Sequence, residues 1–177
     1  MIDIEIPTRQ QLDDLINGDQ RLLRSIDSLF QYVGFFRNRQ MFYAKNTSGS
    51  QVNKATAVMF AGVDDVGDTP TFLMEFAPAD ASTGPRSKFI GISLNDTING
   101  QFGYVVNFGE ISGLDTTGPG SESWADGDVL YIDTATPGQL SNVAPSSGFV
   151  LPIARVLRAN ASNGVIFVNN TFSEGNN

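Results

Sequence analysis

The chain has 177 residues, 41% of them apolar, and a formal net charge of -8 at neutral pH with a pI near 4.3. This length accommodates one sizeable hydrophobic core and leaves little room for a second independent domain. The acidic balance argues against binding to nucleic acid or to anionic lipid, because phosphate neutralisation requires clustered lysine and arginine side chains.

The chain contains neither cysteine nor histidine. A Ser-His-Asp or Cys-His nucleophile pair is therefore impossible, and zinc loses its usual nitrogen and sulfur ligands. The glycine-rich stretches lack the lysine and the strand-to-helix context of a phosphate-binding loop. We therefore expect no cofactor, no metal and no enzymatic activity.

The first seven residues predict a short extended arm. Ile2, Ile4 and Ile6 alternate with acidic residues, and Pro7 ends the pattern. The basic start and apolar centre of a secretion signal are missing, and no apolar run approaches membrane-spanning length, so we expect cytoplasmic synthesis without membrane insertion. An arm this short requires a sheet edge or a partner surface to become ordered.

Residues 8–35 carry a heptad pattern that predicts a helical, coiled-coil stalk. Except for Asp19 at one a position, leucine or β-branched residues occupy the a and d columns, and such a seam is typical of helices that pack against copies of the same chain. β-Branched residues at a and leucine at d favour two strands, so the heptads alone do not establish a trimer. The six expected interface residues are Leu12, Leu15, Leu22, Ile26, Leu29 and Val33.

Asn17, Gly18 and Asp19 interrupt the heptads and leave alternatives open. One continuous helix can tolerate Asp19 as a polar layer that fixes register, which the unbroken heptad spacing favours. Alternatively, Gly18 ends a first helix and Asp19 caps a second. A third possibility is an ordinary amphipathic helix that packs on the β domain of its own chain.

Residues 36–177 change to short β-like runs separated by turns rich in glycine, asparagine and proline. They predict a mainly β domain, a small antiparallel sandwich or a barrel-like head. After the sixth run, Gly138, Gln139 and Leu140 are expected to return the chain as a hairpin. The eight predicted strands are Met41–Lys45, Lys54–Ala61, Thr71–Phe76, Lys88–Leu94, Gly103–Ile111, Asp128–Asp133, Val150–Leu157 and Gly164–Asn169.

Two groups of acidic residues are candidates for a metal-binding or a catalytic site. Asp64, Asp65 and Asp68 are candidate calcium ligands, but their spacing does not match an EF-hand loop and favours a solvated turn from Asp64 to Pro70. A glycoside hydrolase needs two carboxylates at a fixed separation, which the sequence does not provide, so a solubilising role in turns is favoured for the second group. Its members are Glu110, Asp115, Glu122, Asp126 and Asp128.

Trp124 is the only tryptophan of the chain and has two possible roles. It could stack on a sugar ring, or it could fill the base of the loop that precedes the strand beginning near Asp128. Burial is favoured, because large aromatic side chains usually serve packing.

Six segments of the β region resemble, in the same order, the small β module that recurs in the virion appendages of tailed bacteriophages. These appendages are head fibres, capsid decoration proteins, and the shafts or bases of tail fibres. The resemblance extends over residues 40–172 and implies a homotrimer on a virus particle. The segments are KFIGISLND at 88–96, NGQFGYVVNFGEISGLD at 99–115, WADGDVLYID at 124–133, GQLS at 138–141, IARVL at 153–157 and NGVIFV at 163–168.

The resulting hypothesis is a non-enzymatic structural protein of the virion, a homotrimer that decorates the capsid or forms a short head fibre. Its expected partners are its own copies and the major capsid protein, or tail or baseplate proteins, with Ile2, Ile4 and Ile6 as the docking arm. A short tail fibre or fibre base that contacts the host is the alternative, although the small size favours decoration. A polysaccharide-cleaving tailspike is a weaker alternative. A free cytoplasmic sugar-binding module would leave the heptads unexplained.

Overall fold

The computed structural model describes residues 39–65, 72–82, 88–148 and 150–169. They belong to one unit of the chain, Arg39–Asn177. The predicted arm and stalk, residues 1–7 and 8–35, lie outside the described residues and stay predictions. Within the described ranges, no helix has the length and apolar character needed to cross a membrane.

The described residues form nine β-strands, and the mainly β prediction is confirmed. In β9, buried residues alternate with half-buried ones along the whole strand, as expected when one face of a strand covers a core. The strands are β1 (Arg39–Asn46), β2 (Ala57–Asp65), β3 (Phe72–Pro78), β4 (Phe89–Ser93), β5 (Phe102–Leu114), β6 (Val129–Ile132), β7 (Leu140–Ser141), β8 (Pro152–Arg158) and β9 (Gly164–Asn169).

Five of these strands close into a barrel. Their order is β1-β3-β2-β4-β5, and β1 pairs again with β5 to complete the circle. The β1–β5 pairing is antiparallel and extends from Arg39 opposite Gly109 to Lys45 opposite Phe102. The β1–β3 pairing is parallel and short, with Lys45 opposite Glu75 as one of its partners. Of the two predicted architectures, the described domain therefore has the barrel.

A first hydrophobic core packs inside this barrel. Alternate residues of all five strands contribute to it, and Phe76 and Val105 are fully buried. Burial of one such side chain contributes roughly 1.5–3 kcal/mol to folding. The members that lie on the strands are Phe42, Ala44, Val58, Met74, Phe76, Ile90 and Val105.

A second core joins the barrel to the remaining strands. With 13 residues, β5 is long enough to leave the barrel and pair with β9, from Phe108 opposite Asn169 to Leu114 opposite Gly164. The sheet continues from β9 through β8 and β6 to β7. Side chains of β5, β6, β8 and β9 fill the second core, among them Val106, Ile111, Leu130, Ile153 and Ile166. The single strand β5 therefore serves both cores.

Both ends of the described domain lie beside one residue of β5. Gln40, near the start of β1, pairs with Phe108 on one side, and Asn169, at the end of β9, pairs with Phe108 on the other. Because neighbouring strands are spaced about 4.8 Å apart, the two ends lie about 10 Å from each other.

Each of the eight predicted strands overlaps an observed strand, and the bounds differ by at most four residues. β9 has the predicted bounds, and β7 is the predicted hairpin return of β6. β2, however, begins at Ala57 rather than at Lys54. Ala55 contributes to this difference, because its φ of 66° interrupts the extended backbone just before the strand.

Candidate functional site

Some predicted site residues lie outside the described residues. These are the six heptad positions of the stalk, the three isoleucines of the arm, and Asp68 of the proposed calcium group. Asp64 and Asp65 belong to β2, so the predicted solvated turn does not begin at Asp64. Over the described ranges, no three acidic side chains form a group that could hold a metal ion.

Glu122 connects the β5–β6 loop to the region around β7. Its carboxylate accepts hydrogen bonds from Trp124 Nε1 at 2.7 Å and from Ser141 Oγ at 2.6 Å. It also accepts the backbone N–H of Asn142 at 3.1 Å. The side chain therefore has a structural role in holding two loops together, beyond the solubilising role that the sequence predicted.

Asp128 has a similar role at the end of the same loop. Its carboxylate accepts the backbone N–H of Ala125 at 2.9 Å and the side-chain amide of Asn142 at 3.0 Å. These two hydrogen bonds, the backbone one first, hold the pKa of Asp128 below its usual value. Glu122 and Asp128 both contact Asn142, so one asparagine connects the two carboxylates.

The hydrogen bonds of Glu122 and Asp128 do not involve the other three acidic residues, which are Asp115, Asp126 and Glu110. Asp115 accepts hydrogen bonds from the hydroxyl and backbone N–H of Thr117 at 2.6 and 3.0 Å, and these bonds, the hydroxyl first, lower its pKa. Asp126 accepts the backbone N–H of Ala159 at 2.6 Å, and Glu110 is exposed on β5. The general acid of a glycoside hydrolase requires a raised pKa, whereas the pKa values of Asp115 and Asp128 shift in the opposite direction.

The β domain has a cleft of about 480 Å³. It is formed by the turn before β2, the β5–β6 loop and the β6–β7 turn. Its floor consists of apolar side chains that are otherwise buried: Leu114, Trp124, Leu140 and Ile166. Its rim carries polar groups, among them Lys54, Asp115 and Gln139.

Trp124 is a floor residue of this cleft and only 9% exposed. Its indole N–H is held by Glu122, and its backbone N–H donates to the carbonyl of Thr117 at 3.0 Å. The predicted burial at the base of a loop is therefore confirmed. The side chain nonetheless lines the cleft.

Lys54 and Ala55 form a rigid part of the rim. The ammonium group of Lys54 donates to the carbonyl oxygens of Ser112 at 2.8 Å and Gly113 at 3.3 Å, and its backbone N–H donates to Asp96 at 2.7 Å. Ala55 holds its left-handed backbone with its N–H bonded to the carbonyl of Ser93 at 2.9 Å. Sequence reasoning missed both residues, because no local pattern marks a lysine that reaches a distant strand.

Three aromatic rings form a separate cluster on β1 and β5. Tyr43 stacks on Phe102 with ring centroids 5.2 Å apart and lies against Tyr104 at 5.0 Å. Tyr43 is 51% exposed, which is high for a large aromatic side chain in contact with two others. The cluster is a candidate contact surface, because none of the described residues covers it.

Comparison with known proteins shows similarity at the level of structure. Neither a protein-family model nor a curated protein matches the sequence. Among solved structures, the chain is similar to the N base of the head fibre protein gp8.5 of bacteriophage phi29, with 15% sequence identity and a TM-score of 0.42. The match covers 76% of this chain and 98% of the phi29 chain. A TM-score this low does not establish a common fold, and a common fold would not by itself establish a common function.

Proposed function

We propose that the protein is a non-enzymatic structural component of a phage virion, a homotrimer that decorates the capsid or forms a short head fibre. The N-terminal heptads supply the association of three chains. The β domain is the part displayed on the particle, and the partners are the other two copies and the major capsid protein.

One observation supports this proposal most directly. The six segments that resemble the virion β module contain β4, β5, β6 and β7 and most of β8 and β9. In the sheet these strands are adjacent, in the order β4-β5-β9-β8-β6-β7. The resemblance therefore applies to one continuous surface of the fold, as expected for a structural module, rather than to residues scattered over unrelated elements.

The hydrogen bonds of the acidic residues also favour a structural role. Glu122, Asp126 and Asp128 accept backbone N–H groups and position the loop between β5 and β6. For Asp128 these hydrogen bonds also lower the pKa, which suits an acceptor that holds a loop and is unfavourable for a proton donor in catalysis.

Sedimentation equilibrium at micromolar concentration tests the oligomeric part of the proposal. The wild-type chain, of 19.1 kDa, should sediment with three times its own mass. Leu22→Asp places a charge at a d position of the predicted seam and should dissociate the trimer, because an unpaired buried charge is strongly unfavourable. Gln20→Asp, at an outward-facing b position of the same heptad, is the matched control and should remain trimeric.

A monomeric wild-type chain, or a Leu22→Asp variant with unchanged mass, would show that the heptads do not form the interface. The location on the virion is tested separately by imaging purified phage particles with an antibody against the β domain. Labelling of the capsid supports decoration, labelling of the tail would overturn the head assignment, and unlabelled particles would overturn the virion role.

A further inference from the structure

We propose that the cleft between the turn before β2, the β5–β6 loop and the β6–β7 turn binds a neutral saccharide, with one pyranose ring between its apolar base and its polar rim. This site goes beyond the virion role and does not depend on it. The inference rests on four features of the cleft: its size, its apolar floor, the charges of its rim and the strained backbone at Ala55.

The size and the floor suit a small ring with one apolar face. At about 480 Å³ the cleft falls within the range of roughly 300–1,000 Å³ that is common for small-molecule sites. Leu114, Trp124 and Leu140 present apolar surface at its base. A pyranose has such a face, made of its C–H groups, and carries its hydroxyl groups around the edge.

The rim offers hydrogen bonds to hydroxyl groups at that edge. The ammonium group of Lys54 has three N–H donors and bonds two carbonyl oxygens, those of Ser112 and Gly113. The third donor can bond a hydroxyl group of the sugar. Asp115 binds Thr117 through Oδ1 only, which leaves Oδ2 as an acceptor. The side-chain amide of Gln139 makes no hydrogen bond to the described residues and provides both a donor and an acceptor.

The charges of the rim favour a neutral ligand. Lys54 contributes one positive charge and Asp115 one negative charge, so the pair presents no net charge to a bound molecule. An anionic sugar would face the carboxylate, and a cationic one would face the ammonium group. A neutral polyhydroxylated ring can use both groups at once.

The backbone of Ala55 is consistent with a binding role. Its φ of 66° is uncommon for a residue with a side chain, and such strained positions cluster at ligand-binding sites. Ala55 lines the cleft directly beside Lys54. The hydrogen bond from the Ala55 N–H to the carbonyl of Ser93, at 2.9 Å, holds the turn before β2 in this conformation.

The single tryptophan makes the site directly observable. Trp124 fluorescence of the full-length protein is titrated with glucose, galactose, mannose, rhamnose and N-acetylglucosamine, with glucuronate and glucosamine as charged comparisons. We expect at least one neutral sugar to give a saturable change, with a dissociation constant on the order of millimolar because the ligand is small. Gln139→Ala should weaken that binding by about three- to tenfold, the value of one hydrogen bond between neutral groups.

Gln101→Ala is the matched control, since Gln101 is exposed in a turn remote from the cleft lining, and it should bind like the wild type. Circular dichroism checks that both variants are folded. The proposal is overturned if no neutral sugar changes the emission, if the charged sugars bind more tightly, or if both glutamine variants behave alike. It is also overturned if acrylamide quenching of Trp124 decreases with protein concentration in the absence of sugar, because a second copy would then occupy the cleft.

Discussion

Gly138 shows how closely the residues around the cleft are packed. It has a φ of 80°, its N–H donates to the carbonyl of Ala79 at 2.7 Å, and its carbonyl accepts the N–H of Ala57 at 2.8 Å. A Cβ at this position would collide with the methyl group of Thr56 and lie 3.1 Å from Pro78 Cβ. Both the backbone conformation and the available space therefore require glycine.

A comparison of Gly138 with Gly100 separates the requirement of the backbone conformation from the requirement of space. Gly100 also has a φ of 80°, but no atom lies within 4 Å of a Cβ built there. Gly100→Ala should cost about 1 kcal/mol for the left-handed backbone alone. Gly138→Ala should cost about 1–3 kcal/mol more, because the added methyl group overpacks the site. Urea unfolding of the two variants measures the difference, and equal losses would contradict the packing argument.

Among the elements, the β5–β6 loop is held in part by the carboxylate of Asp128, so its stability should depend on pH. Asp128 has a usual pKa of 3.8 when unfolded and a lower pKa in the folded protein. Its contribution is therefore complete above pH 3.8 and is lost as the pH falls through the lower, folded value. Acid weakens the loop by protonating this acceptor.

Asp128→Asn removes this titration and should flatten the dependence of stability on pH. Between about pH 5 and pH 2, the free energy of unfolding should decrease less in the variant than in the wild type. Asn142→Ala removes only one of the two donors to Asp128. Its profile of stability against pH should therefore lie between those of the wild type and Asp128→Asn. Chemical denaturation at a series of pH values provides the measurement. Parallel profiles for all three proteins would show that Asp128 does not stabilise the fold through its charge.

The strands could be predicted from the sequence, because their pattern is local. β4, β5 and β9 have the alternation or the apolar runs that mark strands, and their observed bounds lie close to the predicted ones. The closure of the barrel could not be predicted, since the pairing of β1 with β5 joins residues such as Tyr43 and Tyr104 that are far apart in the chain. No local pattern specifies such a partner.

The candidate site was predictable only in part, for the same reason. The burial of Trp124 follows from its size, and the sequence identified it correctly. The cleft itself requires Lys54, Asp115 and Gln139 to meet, and these belong to three separate segments. The structural role of Glu122 was also missed, because its partner Ser141 lies on another element.

For the whole molecule, we expect oligomerisation and attachment to the particle to be separate properties. Deletion of residues 1–6 removes the apolar face of the predicted arm and leaves the heptads intact. The truncated chain should remain trimeric by sedimentation, whereas its occupancy on purified particles should decrease, because a strand this short gains its order from the surface on which it docks.

A second variant separates the apolar face of the arm from its charges. Replacing Asp3 and Glu5 with serine keeps Ile2, Ile4 and Ile6 and should preserve attachment. Truncated protein at full occupancy on the particle would place the attachment elsewhere, with the exposed Tyr43 cluster the next surface to test.

The position of both domain ends beside Phe108 has a consequence for the evolution of the chain. Because Gln40 and Asn169 flank one residue of β5, we expect the nine strands to tolerate insertion into a surface loop of another protein without spreading the ends of that loop far apart. Transfer between genes then requires no redesign of either core, since both cores are completed by strands that lie between the two ends. We therefore expect a β domain whose ends lie this close together to be exchangeable between proteins that are otherwise unrelated.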